Sequence, residues 1–130
     1  MGQKNAIELF SSGSIIFPGK YVDAAKLPWY EHPAFMGVFL KDLVTAADTR
    51  GAFSCHIVKI KKGFDVGEHS HNAEWEFNET LEGTGFFVIN GKKYACTPGF
   101  SYATPPGMTH IVSAPNEDVY LLAKFIPALK

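Results

Sequence analysis

The sequence is poor in charge of either sign. Only 19% of its residues are Asp, Glu, Lys or Arg, twelve basic against thirteen acidic, for a net charge of −1. A nucleic-acid or anionic-lipid partner needs a concentrated basic face. The densest cluster here is three lysines, Lys59, Lys61 and Lys62, at the end of one strand candidate. Neither partner is expected. Cysteine is scarce too. Cys55 and Cys96 stand in apolar stretches, which predicts reduced, buried thiols rather than a secreted disulfide scaffold. No apolar run approaches the ~20 residues of a membrane span. The first residues lack the basic stretch and apolar core of a signal peptide. Met1-Gly2 opens like an acylation signal, but Ala6 stands where Ser or Thr is wanted. A cytoplasmic location is the expectation.

Bulky apolar side chains are what the chain has in quantity. Hydrophobic residues make up 46% of its 130 positions and aromatics 14%, with eleven Phe among them. That length fits one domain. A chain of this size can bury a core without covalent staples, and the aromatic surplus points to an interface as well.

Residues 1–33 are punctuated by Gly13, Pro18, Gly19, Pro28 and Pro33. Such spacing interrupts any long helix and predicts an arm of short strands and turns, with about a turn and a half of helix over Tyr21 to Lys26. From Ala34 onward the pattern is β. Strand formers fill 37–40, 52–60, 75–81, 86–89, 93–96, 100–103, 110–113 and 119–126, and Asn90-Gly91 marks a two-residue hairpin. Eight or more short strands with a turn every eight to twelve residues predict an all-β sandwich or barrel at 34–130.

Two stretches carry the chemistry. Five residues separate Gly63 from His69, one separates His69 from His71, four separate His71 from Glu76, and six lead on to Gly83. Further on, five residues separate Gly99 from Pro105, one lies between Pro105 and Gly107, and two lead to His110. Residues two apart in extended chain point to one face, so His69 and His71 present two imidazoles to the same interior point. Glu76 can return a carboxylate toward it from the next strand. His110, just past the Pro105-Pro106-Gly107 turn, can bring a third imidazole beside the first pair. Three nitrogens and one oxygen suit a divalent first-row metal ion.

These spacings resemble the two motifs of the cupin family. The first runs Gly, five residues, His, one, His, three or four, Glu, six, Gly. The second runs Gly, five, Pro, one, Gly, two, His, three, Asn. Nine of the ten fixed positions match over roughly residues 34–126. The departure is Ala114 in place of the final Asn, with Asn116 two places on. The resemblance implies a jelly-roll β-barrel, one divalent ion per subunit (iron(II), manganese, zinc or nickel) on His69, His71, Glu76 and His110, and a dimer. It does not imply a substrate, because one fold hosts many chemistries.

Glu74 precedes Trp75 in a string that resembles the oxalate-decarboxylase branch of the family, and it shares the parity of Glu76. Its expected role is to orient a ligand or act as the base, while the spacing to Gly83 assigns the ligand position to Glu76. His56 is expected to be structural, and His32 to meet solvent or an interface. If Glu76 faces inward, parity turns Asn78 and Thr80 inward too, toward a polar small-molecule pocket, and turns Trp75, Phe77 and Leu81 outward. An outward apolar row needs a cover: either the arm, with Leu27, Trp29, Tyr30 and Phe35, within the subunit, or a second subunit, and a homodimer is the expected one. The expected function is a metal-dependent enzyme acting on a small polar molecule, a dioxygenase or a Lewis-acid isomerase or lyase. The alternative is a non-catalytic binding or sensing protein with a structural metal.

Overall fold

The computed structural model describes residues 5–130. In chain order the elements are α1 (Ala6–Ser12), β1 (Ser14–Phe17), β2 (Lys20–Asp23), a single 3-10 turn (Ala24–Lys26), β3 (Trp29–Glu31), β4 (Val38–Val44), α2 (Ala46–Thr49), β5 (Ser54–Ile60), β6 (Phe64–His69), β7 (Trp75–Glu82), β8 (Gly85–Ile89), β9 (Lys92–Cys96), β10 (Ser101–Thr104), β11 (His110–Ala114) and β12 (Val119–Ile126). A six-stranded sheet in the order β10-β7-β12-β5-β4-β3 faces a four-stranded sheet in the order β6-β11-β8-β9, and every pairing is antiparallel. The all-β jelly roll expected from the sequence is what forms. No helix among the described residues is long and apolar enough to cross a membrane.

The main core fills the space between the two sheets. Val38, Leu40, Val58, Ile60 and Leu121 project from one sheet and Phe87 and Val112 from the other, all buried. A second, smaller core lies on the other face of the six-stranded sheet. There Ala24 of the 3-10 turn, with Ile15 and Leu27, packs on Leu43, Ile57 and Leu122. The arm is therefore fastened to the barrel, and it is fastened by a buried charge as well. Lys41 is 3% exposed, and its ammonium donates to the carbonyls of Ser11 and Ala24. The end of the arm goes further, since β3 pairs with β4 and forms the edge of the six-stranded sheet.

Two features of the arm differ from the sequence expectation. Ala6–Ser12 is helical, capped by the Asn5 side chain, which accepts from the Glu8 backbone N–H at 2.9 Å. The Gly and Pro residues that argued against helix begin only at Gly13, and Asn5 with Glu8 three places on is an N-terminal helix signal. Tyr21–Asp23 belongs to β2, and only Ala24–Lys26 coils.

Strand β7 alternates as parity requires. Glu76, Asn78 and Thr80 are buried, while Trp75 and Phe77 remain 50% and 39% exposed. The arm packs its second core on β4, β5 and β12 and leaves Trp75 and Phe77 exposed. Both cysteines are unpaired, Cys96 buried and Cys55 half-buried.

The glycines that frame the two histidine motifs share a backbone property. Gly63, Gly83, Gly99 and Gly107 all take φ between +81° and +94°. At Gly83 space is denied too, since a Cβ would sit 2.0 Å from the Asp118 carbonyl oxygen. The turn after β7 can close against the start of β12 only without a side chain there. Gly83→Ala should therefore lower stability by at least about 2 kcal/mol, read as a shift in the denaturant midpoint. An unchanged midpoint would mean that the turn relaxes freely and that this motif glycine has another purpose.

Candidate metal centre

Four side chains from three strands and one loop meet inside the barrel. His69 ends β6 and His71 stands two residues on, just past the strand, with the two rings 5.1 Å apart between centroids. His110 opens β11 and is the direct cross-strand partner of His69, the two rings lying 4.1 Å apart between centroids. Glu76 is the second residue of β7 and arrives from the opposite sheet. The Gly107 backbone N–H donates to the His71 carbonyl at 2.7 Å, tying the Pro105-Pro106-Gly107 turn to the histidine loop. One ligand atom from each of the four residues lies within 4.8 Å of all the others.

The hydrogen bonds determine which atoms face the centre. His69 Nδ1 is 2.7 Å from the Gly67 carbonyl and His110 Nδ1 is 3.2 Å from the Met108 carbonyl. A carbonyl only accepts, so each Nδ1 carries the proton. In the neutral ring Nε2 is then a lone pair. His110 Nε2 nevertheless stands 3.0 Å from Glu76 Oε1, and His71 Nε2 stands 3.2 Å from the same oxygen. His71 Nε2 is buried and has no well-oriented hydrogen-bond partner. Lone pairs of nitrogen and oxygen packed this closely, away from water, repel unless a cation lies among them. A divalent ion satisfies them all at once, and a histidine ligand whose other nitrogen is held by a backbone carbonyl is a common metal arrangement. The residues present therefore fit the ion that the motif spacing implies.

Burial alone would raise the Glu76 pKa. Proton-bearing His110 and His71 nitrogens and the Asn78 amide would outweigh it and hold the carboxyl at about 2, and a cation among the donors acts in the same direction. Glu76 is thus an anion at any working pH. Burial lowers the His69 pKa, with the neighbouring His110 and His71 adding to the effect. A neutral imidazole is the form that binds metal.

A cavity of about 70 Å³ opens beside the four donors. All four line it, together with Asn78 and an apolar wall that includes Val38, Leu40, Val66, Leu121 and Phe125. At about 10–15 Å³ for each water-sized site, it has room for a few waters or one small organic molecule. Asn78 Oδ1, Thr80 Oγ1 and Thr104 Oγ1 are buried without a protein partner. Each such atom costs about 1–3 kcal/mol unless water or a ligand reaches it.

The structure brings Glu76, not Glu74, to the imidazoles. Glu74 is half-buried just ahead of β7 and is not among the cavity-lining residues, so its expected role as base finds no support in its position. Three further polar side chains line the cavity. His32 and His56 do so although neither has a motif position, and Lys130 does because the chain after β12 folds back over the barrel. There the Leu129 backbone N–H donates to Ser54 Oγ at 3.1 Å and the Ala128 N–H to the Gly51 carbonyl at 3.0 Å. His56 is held on both sides, Nδ1 at 2.7 Å from Asp42 Oδ1 and Nε2 at 2.9 Å from Ser54 Oγ. Asp42 also accepts from the Tyr30 hydroxyl at 2.7 Å. Burial would raise the Asp42 pKa, and these two hydrogen bonds more than reverse it. By sequence His56, one place after Cys55 on its strand, could face either side, and no signal there decides its placement. For Lys130 the sequence offers none.

Comparison with known proteins bears on both fold and site. The family model for the cupin domain matches residues 56–123. Among solved structures, a predicted oxalate decarboxylase from Thermotoga maritima superposes with a TM-score of 0.71 at 27% identity, over 79% of this chain and 95% of that one. A putative ethanolamine utilization protein from Salmonella typhimurium gives 0.72 at 21% identity, over 88% and 93%. The polyketide cyclase RemF from Streptomyces resistomycificus gives 0.69 at 19%, over 82% and 78%. The last two are similar in fold alone. No curated protein matches the sequence.

If the four donors form one site, His69→Ala should remove most of the bound metal, measured by elemental analysis of tag-free protein. The circular-dichroism spectrum should stay that of the parent, because the apolar core between the sheets does not include His69. Full metal content in the variant would mean that the ion sits elsewhere.

Proposed function

Because this chain belongs to the cupin family, we propose that it is a metal-dependent enzyme acting on a small polar molecule. One observation carries the reading: all four donors line a single cavity, so whatever occupies that cavity touches the metal site directly. His69, His71 and His110 would hold one divalent ion, iron(II), manganese, zinc or nickel, and Glu76 would neutralise half of its charge. When bound, such an ion polarises substrate oxygens as a Lewis acid or, as iron(II), supports oxygen chemistry. The Gly67 and Met108 carbonyls keep the His69 and His110 rings turned inward, and the apolar wall keeps bulk water away from the reacting end of the substrate. The reaction classes that suit this arrangement are dioxygenation and Lewis-acid isomerisation or elimination.

A second reading, binding or sensing with a structural metal, draws on one feature. Among the described residues the cavity lining holds no carboxylate besides Glu76, so a free carboxylate base is missing. The experiment that separates them uses protein loaded with iron(II) under argon, or with zinc, manganese or nickel, and offered diketones, catechols, flavonols and hydroxy acids. Oxygen uptake with the iron form, or new products by NMR with the others, is expected for at least one compound. Ligands that bind yet are recovered unchanged in every case would favour the sensor.

The homodimer belongs to the same proposal. A second copy is the cover we assign to the exposed Trp75 and Phe77, since burying apolar surface stabilises by about 25 cal/mol per Å². Light scattering at tens of micromolar should give twice the chain mass, and Trp75→Glu with Phe77→Glu should halve it. A monomeric parent would contradict the assignment.

A further inference from the structure

Asn78 is a buried polar side chain beside the donors, 2% exposed, and the cluster of four does not include it. Its amide nitrogen donates to Glu76 Oε2 at 2.8 Å and to the Tyr102 hydroxyl at 2.7 Å. Both amide hydrogens are thus used. The amide cannot be turned over, because that would set Asn78 Oδ1 against the carboxylate oxygen. The Tyr102 ring that anchors it is itself immobilised, 7% exposed and stacked on Phe87 at 3.8 Å between centroids. Cross-strand pairing fixes the relation between the two residues, since Tyr102 lies directly opposite Asn78 and Thr104 opposite Glu76.

The consequence falls on the two oxygens of Glu76. Oε1 faces the His71 and His110 nitrogens at 3.2 and 3.0 Å, and Oε2 is tied back by Asn78. Left to itself, a carboxylate can give a metal ion one oxygen or both. We infer that Asn78 is a positioning residue that holds Glu76 to a single metal-facing oxygen and so preserves a second open coordination position for a substrate that chelates through two oxygens. The inference rests on the four-donor metal reading above and adds to it a substrate class, molecules with paired oxygens. Around an octahedral ion, three imidazoles and one oxygen would fill four places and leave two. A second oxygen from Glu76 would leave one, and a chelating substrate would then lose half its grip.

The test uses the full chain loaded with cobalt(II) and, as probe, acetohydroxamate, a monoanionic chelator with two oxygens. Titration calorimetry measures cobalt affinity and acetohydroxamate affinity separately, and the cobalt absorption spectrum reports the coordination. In Asn78→Leu, acetohydroxamate should bind at least tenfold more weakly than in the parent, with one cobalt ion still held and its visible spectrum altered. Tyr102→Phe, which removes only the anchor, should move both readouts in the same direction by less. It also serves as the test variant if Asn78→Leu does not fold, because it deletes a single oxygen. A merely structural role for Asn78 would lower the melting temperature and leave the spectrum and the chelator affinity as they were, and that result would overturn the inference. A parent protein that binds no cobalt would instead sink the metal reading. A parent that binds cobalt, with variants that chelate acetohydroxamate as it does, would sink this inference alone.

Discussion

The donor site of this barrel is organised around one electrostatic problem, a buried carboxylate oxygen held about 3 Å from two imidazole nitrogens. The Met108 carbonyl fixes the tautomer of His110, so at that ring the repulsion is not relieved by moving a proton from one nitrogen to the other. Isolated buried charge and unpartnered lone pairs are costly. A single cation among the four donors converts those costs into attraction. The side chains do not bring a compensating cation of their own: the lysine that lines the cavity, Lys130, has its ammonium 3.2 Å from the Tyr30 hydroxyl rather than at Glu76.

The fold makes the arrangement rigid. His69 and His110 are neighbours across one antiparallel pair, so their separation is set by the β ladder rather than by loop conformation. Glu76 comes from the facing sheet, and its second oxygen is held through Asn78 by the neighbouring β10. Only His71 lies on a loop, and that loop is held by the Gly107 N–H. The glycines at the ends of the motifs belong to the same design. Their positive φ values turn the chain sharply enough to bring the donor-bearing strands into register, and the space at Gly83 leaves room for no other residue.

Much of this was legible in the residues because it depends on periods of two and on fixed spacings. The parity of 69 and 71, the inward turn of 76, 78 and 80, and the Asn90-Gly91 hairpin are local properties of extended chain. The choice of Glu76 over Glu74 also followed from spacing. What was not legible depends on contacts between distant parts of the chain. The seven-residue helix at Ala6–Ser12 is stabilised by its Asn5 cap and the burial of Ile7, features weaker than the Pro and Gly signals that follow it. The placement of His32 and Lys130 along the cavity depends on where the arm and the chain after β12 come to rest. Burial of Lys41 under the arm could not be foreseen from a strand that otherwise reads as half-exposed.

The most direct test of the account is anomalous diffraction from crystals of the metal-loaded protein, collected at the absorption edge of the ion. The account predicts one strong peak per chain, about 2.0–2.3 Å from Nε2 of His69, His71 and His110 and from Oε1 of Glu76. A peak on other residues, or none at these four in fully loaded protein, would contradict it.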